Sequence, residues 1–265
     1  MDVVIAGGVE AMSRVPMNLS SEVLEKAGYG RSKSPRVEMR YPDIAFSQFS
    51  GAEQMAVKYS FSRDALDEFG YQSQLRAIAA TKDGSFKSEI VPIEVQRPDG
   101  QHEMHTVDEG IRFDITREGV GAVKLLREGG RISAATASQI CDGASGVLVA
   151  NERGLKALGV QPLARIHSMT VTAGDPVIML EEPLFATSKG LNRAWLGIDD
   201  IDLFEINEAF APVPMAWLKH TGADPDRLNV NGGAIALGHP LGASGTKLMT
   251  TLVYALHRRG KRWGR

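Results

Sequence analysis

One cysteine, Cys141, is all the thiol this 265-residue chain holds. That scarcity excludes an internal disulfide framework and any site needing two thiolates from one chain, and it fits a reducing compartment. Charge of one sign is also missing. With 30 Lys+Arg against 32 Asp+Glu the net charge is −2, so no electrostatic excess advertises nucleic acid or an acidic membrane as partner. No uninterrupted apolar run reaches the length of a bilayer span. The opening stretch MDVVIAGGVEAM carries Asp2 and Glu10 and lacks a basic segment, which argues against a secretory signal. The expectation is a soluble, cytoplasmic protein without nucleic-acid or membrane partners. Its length allows one large domain or two modest ones, burying roughly three quarters of the unfolded surface.

Strands alternating with helices predict an α/β architecture. DVVIAGG reads as a buried strand at the very start, ASGVLVA (144–150) as another, IDDIDLFEI (198–206) and RLNVNGG (227–233) as two more. Residues 18 to 44 are polar and broken by Gly28, Gly30, Pro35 and Pro42, an excursion outside the core. Helical spacing follows in GAEQMAVKYS and in SRDALDEFGYQSQLRAIAATKDG, with Ser62 as cap and Leu66, Phe69 and Leu75 as the apolar stripe. FKSEIVPIEVQ suggests an edge ribbon, with His102 and His105 in its loop; a metal pair and solvated loop residues are the two readings of those histidines. NERGLKALG is a short helix stopped by Gly159, and Gln161–Pro162 marks the domain boundary. NEAFAPVPMAWLKH predicts a helix in which Pro212 and Pro214 shift Asn207 or delay the start. SGTKLMTTLVYALHRRG predicts another, capped by Ser244 and stopped at Gly260. No repeat or low-complexity tract interrupts this order.

Chemistry concentrates in NVNGGAIALGHPLGASG (229–245), where His239 sits among five glycines. The run matches neither a phosphate loop nor a dinucleotide fingerprint. A glycine-rich loop leading into a helix can still present backbone N–H groups to negative charge, and an imidazole there suits a general base or an oxyanion donor. A loop histidine packed on Pro240 is the plain alternative. Asn207, in EINEAFA, stands between a predicted strand and helix, where α/β sheets place functional groups; a helix cap is its plain alternative.

Taken together, NEAFA and NVNGGAIALGHPLGASG resemble the thiolase family, the acetyl-CoA C-acyltransferases. VVIAGGVEAMSRVPM, SRDALDEFGYQSQLRA, KDGSFKSEIVPI, DEGIR and ATASQICDGASGVLV extend the resemblance over essentially the whole chain. It implies a thiolase-like layered α/β/α core with an inserted, mostly helical loop domain. Residues 1–160 would be a remnant of the N-terminal domain with the coenzyme A-binding loop domain at about 18–120, and 161–265 the C-terminal domain. His239 would activate a nucleophile and donate to a thioester oxyanion, and Asn207 would hold a water as second donor. Ser138 would lie near the pantetheine arm and Arg112 over the adenine. Phe210 and Gln48 would line the acyl pocket. Coenzyme A is then a substrate, acyl-CoA and CoA are the partners, no cofactor is permanently bound, no metal is needed, and the chain forms a homo-oligomer, dimer or tetramer.

The family's two reactive cysteines belong to an upstream segment and to a C-x-G-G-G loop, and this sequence has neither. The expectation is therefore a chain truncated at both ends, with an incomplete core, exposed strand edges and poor solubility alone. Two functions compete: thiolytic cleavage of 3-oxoacyl-CoA to acetyl-CoA and a shortened acyl-CoA, or the reverse condensation, by an incomplete form; and a non-catalytic CoA-thioester binding or interaction protein. A condensing enzyme of related fold is a third, without support from NEAFA. Cys141 reads as a buried structural thiol.

Overall fold

Ser62, in extended backbone, accepts a hydrogen bond from the N–H of Ala65 and so starts the longest helix, α4 (Arg63–Lys82). A computed structural model describes all of residues 1–265. Before α4 come strand β1 (Val3–Ala11) and helices α1 (Leu19–Lys26), α2 (Pro35–Arg40) and α3 (Gln48–Lys58). Neither α1 nor α2 buries a residue, as expected for an excursion outside the core. After α4 the chain forms the hairpin β2 (Ile93–Gln96) and β3 (His102–His105), helix α5 (Arg117–Gly121), strand β4 (Asp142–Ala150) and helix α6 (Glu152–Leu158). Helices α7 (Glu182–Ala194), α8 (Pro212–Thr221), α9 (Ala234–Leu237) and α10 (Ser244–Arg258) complete it.

β1 and β4 pair antiparallel, with Val3 opposite Ala150 and Ala11 opposite Asp142. Expected as buried strands, they carry exposed apolar side chains instead: Ile5 is 79% and Leu148 55% exposed. The cause is that the pair stands as a two-stranded ribbon with no further strand beside it. One part of the ribbon is closely packed. A Cβ at Gly8 would lie 1.7 Å from the carbonyl oxygen of Gly242, so the loop before α10 rests directly on β1. Glu10 accepts from the Gly242 N–H, and Ser145 donates to Ala243.

Three further expectations are corrected. IDDIDLFEI and RLNVNGG form no strand; they meet through the single bridge Phe204–Leu228, and Leu203 bridges Gly264. The helix over NEAFAPVPMAWLKH, by contrast, begins at Pro212, the delayed start that its prolines allowed. Both prolines then fall in the first turn, where backbone N–H groups have no intrahelical partner, so neither removes a helix bond. On α4 the fully buried face runs through Leu66, Gly70, Ser73, Gln74 and Ala77, while Phe69 and Leu75 pack half-buried against the core beside it. Small residues win there because the backbone of another segment comes close: a Cβ at Gly70 would stand 2.3 Å from the Ala135 carbonyl. His102 and His105 lie within β3 rather than in a loop, and His102 pairs across the hairpin with Glu94 at 3.6 Å.

The core forms around Met55, Leu184, Phe204, Trp217 and Leu228, and beside it around Ala52, Leu66, Ile132, Phe210 and Ile235. Trp217 donates its indole N–H to Thr187 at 2.6 Å, which satisfies the one polar atom of a fully buried ring. A third group, with Ala77, Phe86, Ile111 and Leu237, ties α4 to α9. These clusters hold the two segments that carry Asn207 and His239 against α4.

Candidate functional site

Asn207 sits on irregular chain five residues before α8, so its placement depends on the neighbouring side chains. Asn229 supplies this from across the bridge: it accepts from the Ile206 N–H at 2.9 Å and donates to the Ile206 carbonyl at 2.8 Å. Its amide also donates to Glu208, 1% exposed, whose other oxygen accepts from Ser73 at 2.6 Å and from the Ile235 N–H at 3.3 Å. Burial pushes the Glu208 carboxyl up, and these donors pull it back. A residue-by-residue network therefore surrounds Asn207 on both sides.

His239 follows α9 and the turn at Gly238, whose φ is 80°. A Cβ there would meet the Cys141 sulfur at 2.6 Å, so this position needs glycine twice over. The structure brings Asn207 Nδ2 and His239 Nε2 to 3.3 Å. On the other side of the ring, Nδ1 lies 2.5 Å from Ser244 Oγ. Ser244 Oγ donates to the Pro240 carbonyl at 3.0 Å, so it accepts from Nδ1–H, and Nε2 carries the lone pair facing Asn207. Burial pushes the imidazole down from its ordinary value, and the Lys247 ammonium acts in the same direction. The ring is thus neutral at neutral pH, and protonating it would make Nε2 a second donor beside Nδ2. Ser244, expected as the cap of α10, is instead its first helical residue, with Ala243 at the cap position; its hydroxyl goes to the histidine.

Ser138 is half-buried, and its N–H donates to Ala209 at 2.9 Å while the Ala211 N–H donates to Thr136, so the ATAS and NEAFA stretches lie side by side. Gln139 extends this. Its amide donates to Gly110 at 2.7 Å and Ile235 at 2.8 Å, and its carbonyl accepts from the His239 N–H at 3.3 Å. Arg112 is exposed; Gln74 accepts from its N–H at 2.8 Å. Phe210, 5% exposed, is covered edge-on by Phe49, with ring centroids 5.3 Å apart. Gln48, the first residue of α3, is exposed and makes no such contact. Sequence reasoning missed Phe49, Gln139, Asn229 and Lys247; Gln139, Asn229 and Lys247 stood in quoted stretches but without a role, because their partners lie on other segments and leave no local pattern.

Beside the pair lies a narrow cleft of about 10 Å³ lined by Glu205, Asn207, Ser244, Lys247 and Thr251 among others. Lys247 is its one basic side chain, donating to the carbonyls of Leu237 at 2.9 Å and Gly238 at 3.2 Å. Glu205 is held well above the usual carboxylate range, first by burial and then by Glu208 and Glu89. Cys141 is half-buried, and burial pushes its thiol up, opposite to what a reactive thiolate needs. No group of three or more His, Cys, Asp or Glu side chains is arranged to hold a metal ion. No helix is long and apolar enough to cross a membrane.

The model of the N-terminal domain of thiolase matches residues 1–153, and that of the C-terminal domain matches residues 160–265. A steroid 3-ketoacyl-CoA thiolase, FadA6, of Mycobacterium tuberculosis is 47% identical over 99% of this chain and 64% of its own length. An acetyl-CoA acetyltransferase of Chromobacterium violaceum is 38% identical over 99% of this chain and 68% of its own. Six further curated relatives are likewise bacterial. Among solved structures, human mitochondrial 3-ketoacyl-CoA thiolase superposes with a TM-score of 0.85 at 36% identity, covering 99% of this chain and 67% of that one. The same enzyme in complex with CoA gives 0.84 at 36% identity, covering 99% and 66%. The chain spans about two thirds of the length of the relatives it matches.

These findings correct the expectation of a remnant with an incomplete core: the two models match residues 1–153 and 160–265, and the thiolase-like α/β/α fold extends through 99% of the chain. Thiolytic cleavage by this chain is corrected as well. It has a single cysteine whose thiol is raised rather than activated, and no assembled nucleophile or metal group stands at the His239–Asn207 pair. By sequence and by fold, the chain belongs to the thiolase family.

Proposed function

We propose that this chain binds CoA thioesters without cleaving them, as a non-catalytic binding or interaction member of its family. The observation that carries the reading is the 3.3 Å approach of Asn207 and His239 beside a polar cleft in a chain with one unactivated thiol. A thioester carbonyl accepts hydrogen bonds but needs no nucleophile merely to be held. Asn207 Nδ2 supplies one donor, and His239 adds a second when its ring is charged. Ser138 and Arg112 would contact the pantetheine arm and the adenine, Phe210 the acyl group, and Gln48 the mouth of its pocket. Acyl-CoA and CoA are the partners, and nucleic acid and membrane are not. In this reading residues 161–265 form one domain and 1–160 the other, with the CoA-facing loop segment at about 18–120. The protein works in the cytoplasm as a dimer or tetramer. The name of the Mycobacterium tuberculosis relative makes a polycyclic acyl arm the first to test.

Calorimetry of the full chain with CoA, and with a thioether analogue of a bulky acyl-CoA, tests the reading. Micromolar binding, about −8 kcal/mol, is expected, weakened about tenfold by Arg112→Ala for both ligands. Asn207→Ala is expected to weaken the analogue alone. Absence of heat with both ligands, or release of acetyl-CoA from a 3-oxoacyl-CoA and CoA, overturns it.

A further inference from the structure

We infer that Lys247 is a positioning residue for His239: its ammonium ties down the two carbonyls that precede the imidazole and supplies the only cation of the cleft beside it. The inference rests on the reading of His239 and Asn207 as the thioester-holding pair.

Lys247 lies one turn into α10 and reaches back across its start. Its two bonds end on Leu237 and Gly238, the last residue of α9 and the left-handed residue after it. Those carbonyls sit at the C-terminal end of a four-residue helix, where partial negative charge gathers and a cation is the natural partner. Ser244, three residues before Lys247 on the same helix, holds Nδ1 of the ring. One helix end therefore fixes both the backbone that delivers His239 and the orientation of its imidazole. Without the ammonium, the Leu237 and Gly238 carbonyls lose a shared donor in a half-buried place.

The same ammonium is an electrostatic element. From α10 it faces Glu205 on the segment before α8, Glu89 on the turn after α4, Cys141 at the foot of β4, and His239 itself. Glu208 and Asp108 complete the acidic groups around them. Without Lys247 the cleft would lose its one cation, and the only charge that opposes protonation of the imidazole would be gone.

NMR of the ligand-free full chain reads this directly, with His239→Asn identifying the resonance among the six histidines. In wild type the His239 Cε1–H signal titrates below the ordinary histidine midpoint. Lys247→Met is expected to raise that midpoint, and Lys247→Arg to leave it near the wild-type value. Lys247→Gln keeps an amide donor for the carbonyls while removing the charge, so it decides the matter if Lys247→Met fails to fold; it too should raise the midpoint. A folded Met or Gln variant with an unmoved midpoint overturns the inference. Because no ligand is present, a shifted midpoint in a protein that binds no CoA would sink the binding reading and leave this one standing.

Discussion

Glu89→Gln should stabilise this protein increasingly as pH rises above about 4.5, where the carboxyl of the unfolded chain ionises. Both carboxylate oxygens of Glu89 are buried without a hydrogen-bond partner. Thr251 is the nearest group favouring its charge, with Arg258 and Lys247 acting through space and Asp108 opposing them. Burial dominates and pushes the carboxyl up from 4.5 to about 7. A carboxyl raised in the folded state holds its proton there while the unfolded chain has released it, so stability falls as pH rises from about 4.5 through 7. The difference of about 2.5 units corresponds to a ceiling of roughly 3 kcal/mol at 1.36 kcal/mol per unit. Partial solvent relaxation around a group that is not fully enclosed brings the expectation to about 1–2 kcal/mol.

Glutamine keeps the volume, cannot ionise, and can pair with the Thr251 hydroxyl. Urea unfolding of wild type and variant at pH 5 and pH 8 measures the effect, with a gain of about 1–2 kcal/mol at pH 8, or roughly 2–6 °C in Tm, and little at pH 5. His239 contributes with the opposite sign: its depressed folded pKa costs stability as pH falls below the ordinary histidine value, and it does so in both proteins. The difference between the two proteins isolates Glu89. An equal gain at both pH values, or a loss at pH 8, would refute the reasoning.

Gly238→Ala should destabilise by about 1–3 kcal/mol, since it places a Cβ at a φ of 80° and 2.6 Å from the Cys141 sulfur; thermal melts check this, and a neutral result would mean the turn relaxes freely. Glu208→Ala should cost about 3 kcal/mol or more, because Ser73, Asn229 and the Ile235 N–H lose one shared acceptor in a buried place. Denaturant midpoints read that loss, and a change under about 1 kcal/mol would show that the network is dispensable. Phe49→Ala removes the edge-on cover of Phe210 and should weaken a bulky acyl-CoA analogue several-fold while leaving CoA itself unchanged in the same calorimetry; equal weakening of both would place Phe49 outside the acyl pocket.

What the sequence settles on its own is local or motif-bound. The stop at Gly159, in left-handed backbone, and the Ser62 cap each follow from one residue's conformational preference and its nearest neighbours. His239 and Asn207 stand out in the sequence because NEAFA and the glycine run are unusual as strings. Their 3.3 Å approach was not, since it depends on chain 32 residues apart and on Asn229, Glu208 and Ser73 meeting from three segments.

Tertiary structure alone decided the rest. Periodicity marked Leu75 for the stripe of α4, but close approach of the Ala135 backbone at Gly70 and of Gly232 at Ala77 made those small residues the fully buried face. Apolar runs at 2–8 and 144–150 predicted buried strands, whereas their burial depends on which elements cover them, a property no window of sequence contains. Ser244 looked like a helix cap; only when the loop folds back does its hydroxyl fall between Pro240 and the imidazole and select which ring nitrogen keeps the proton.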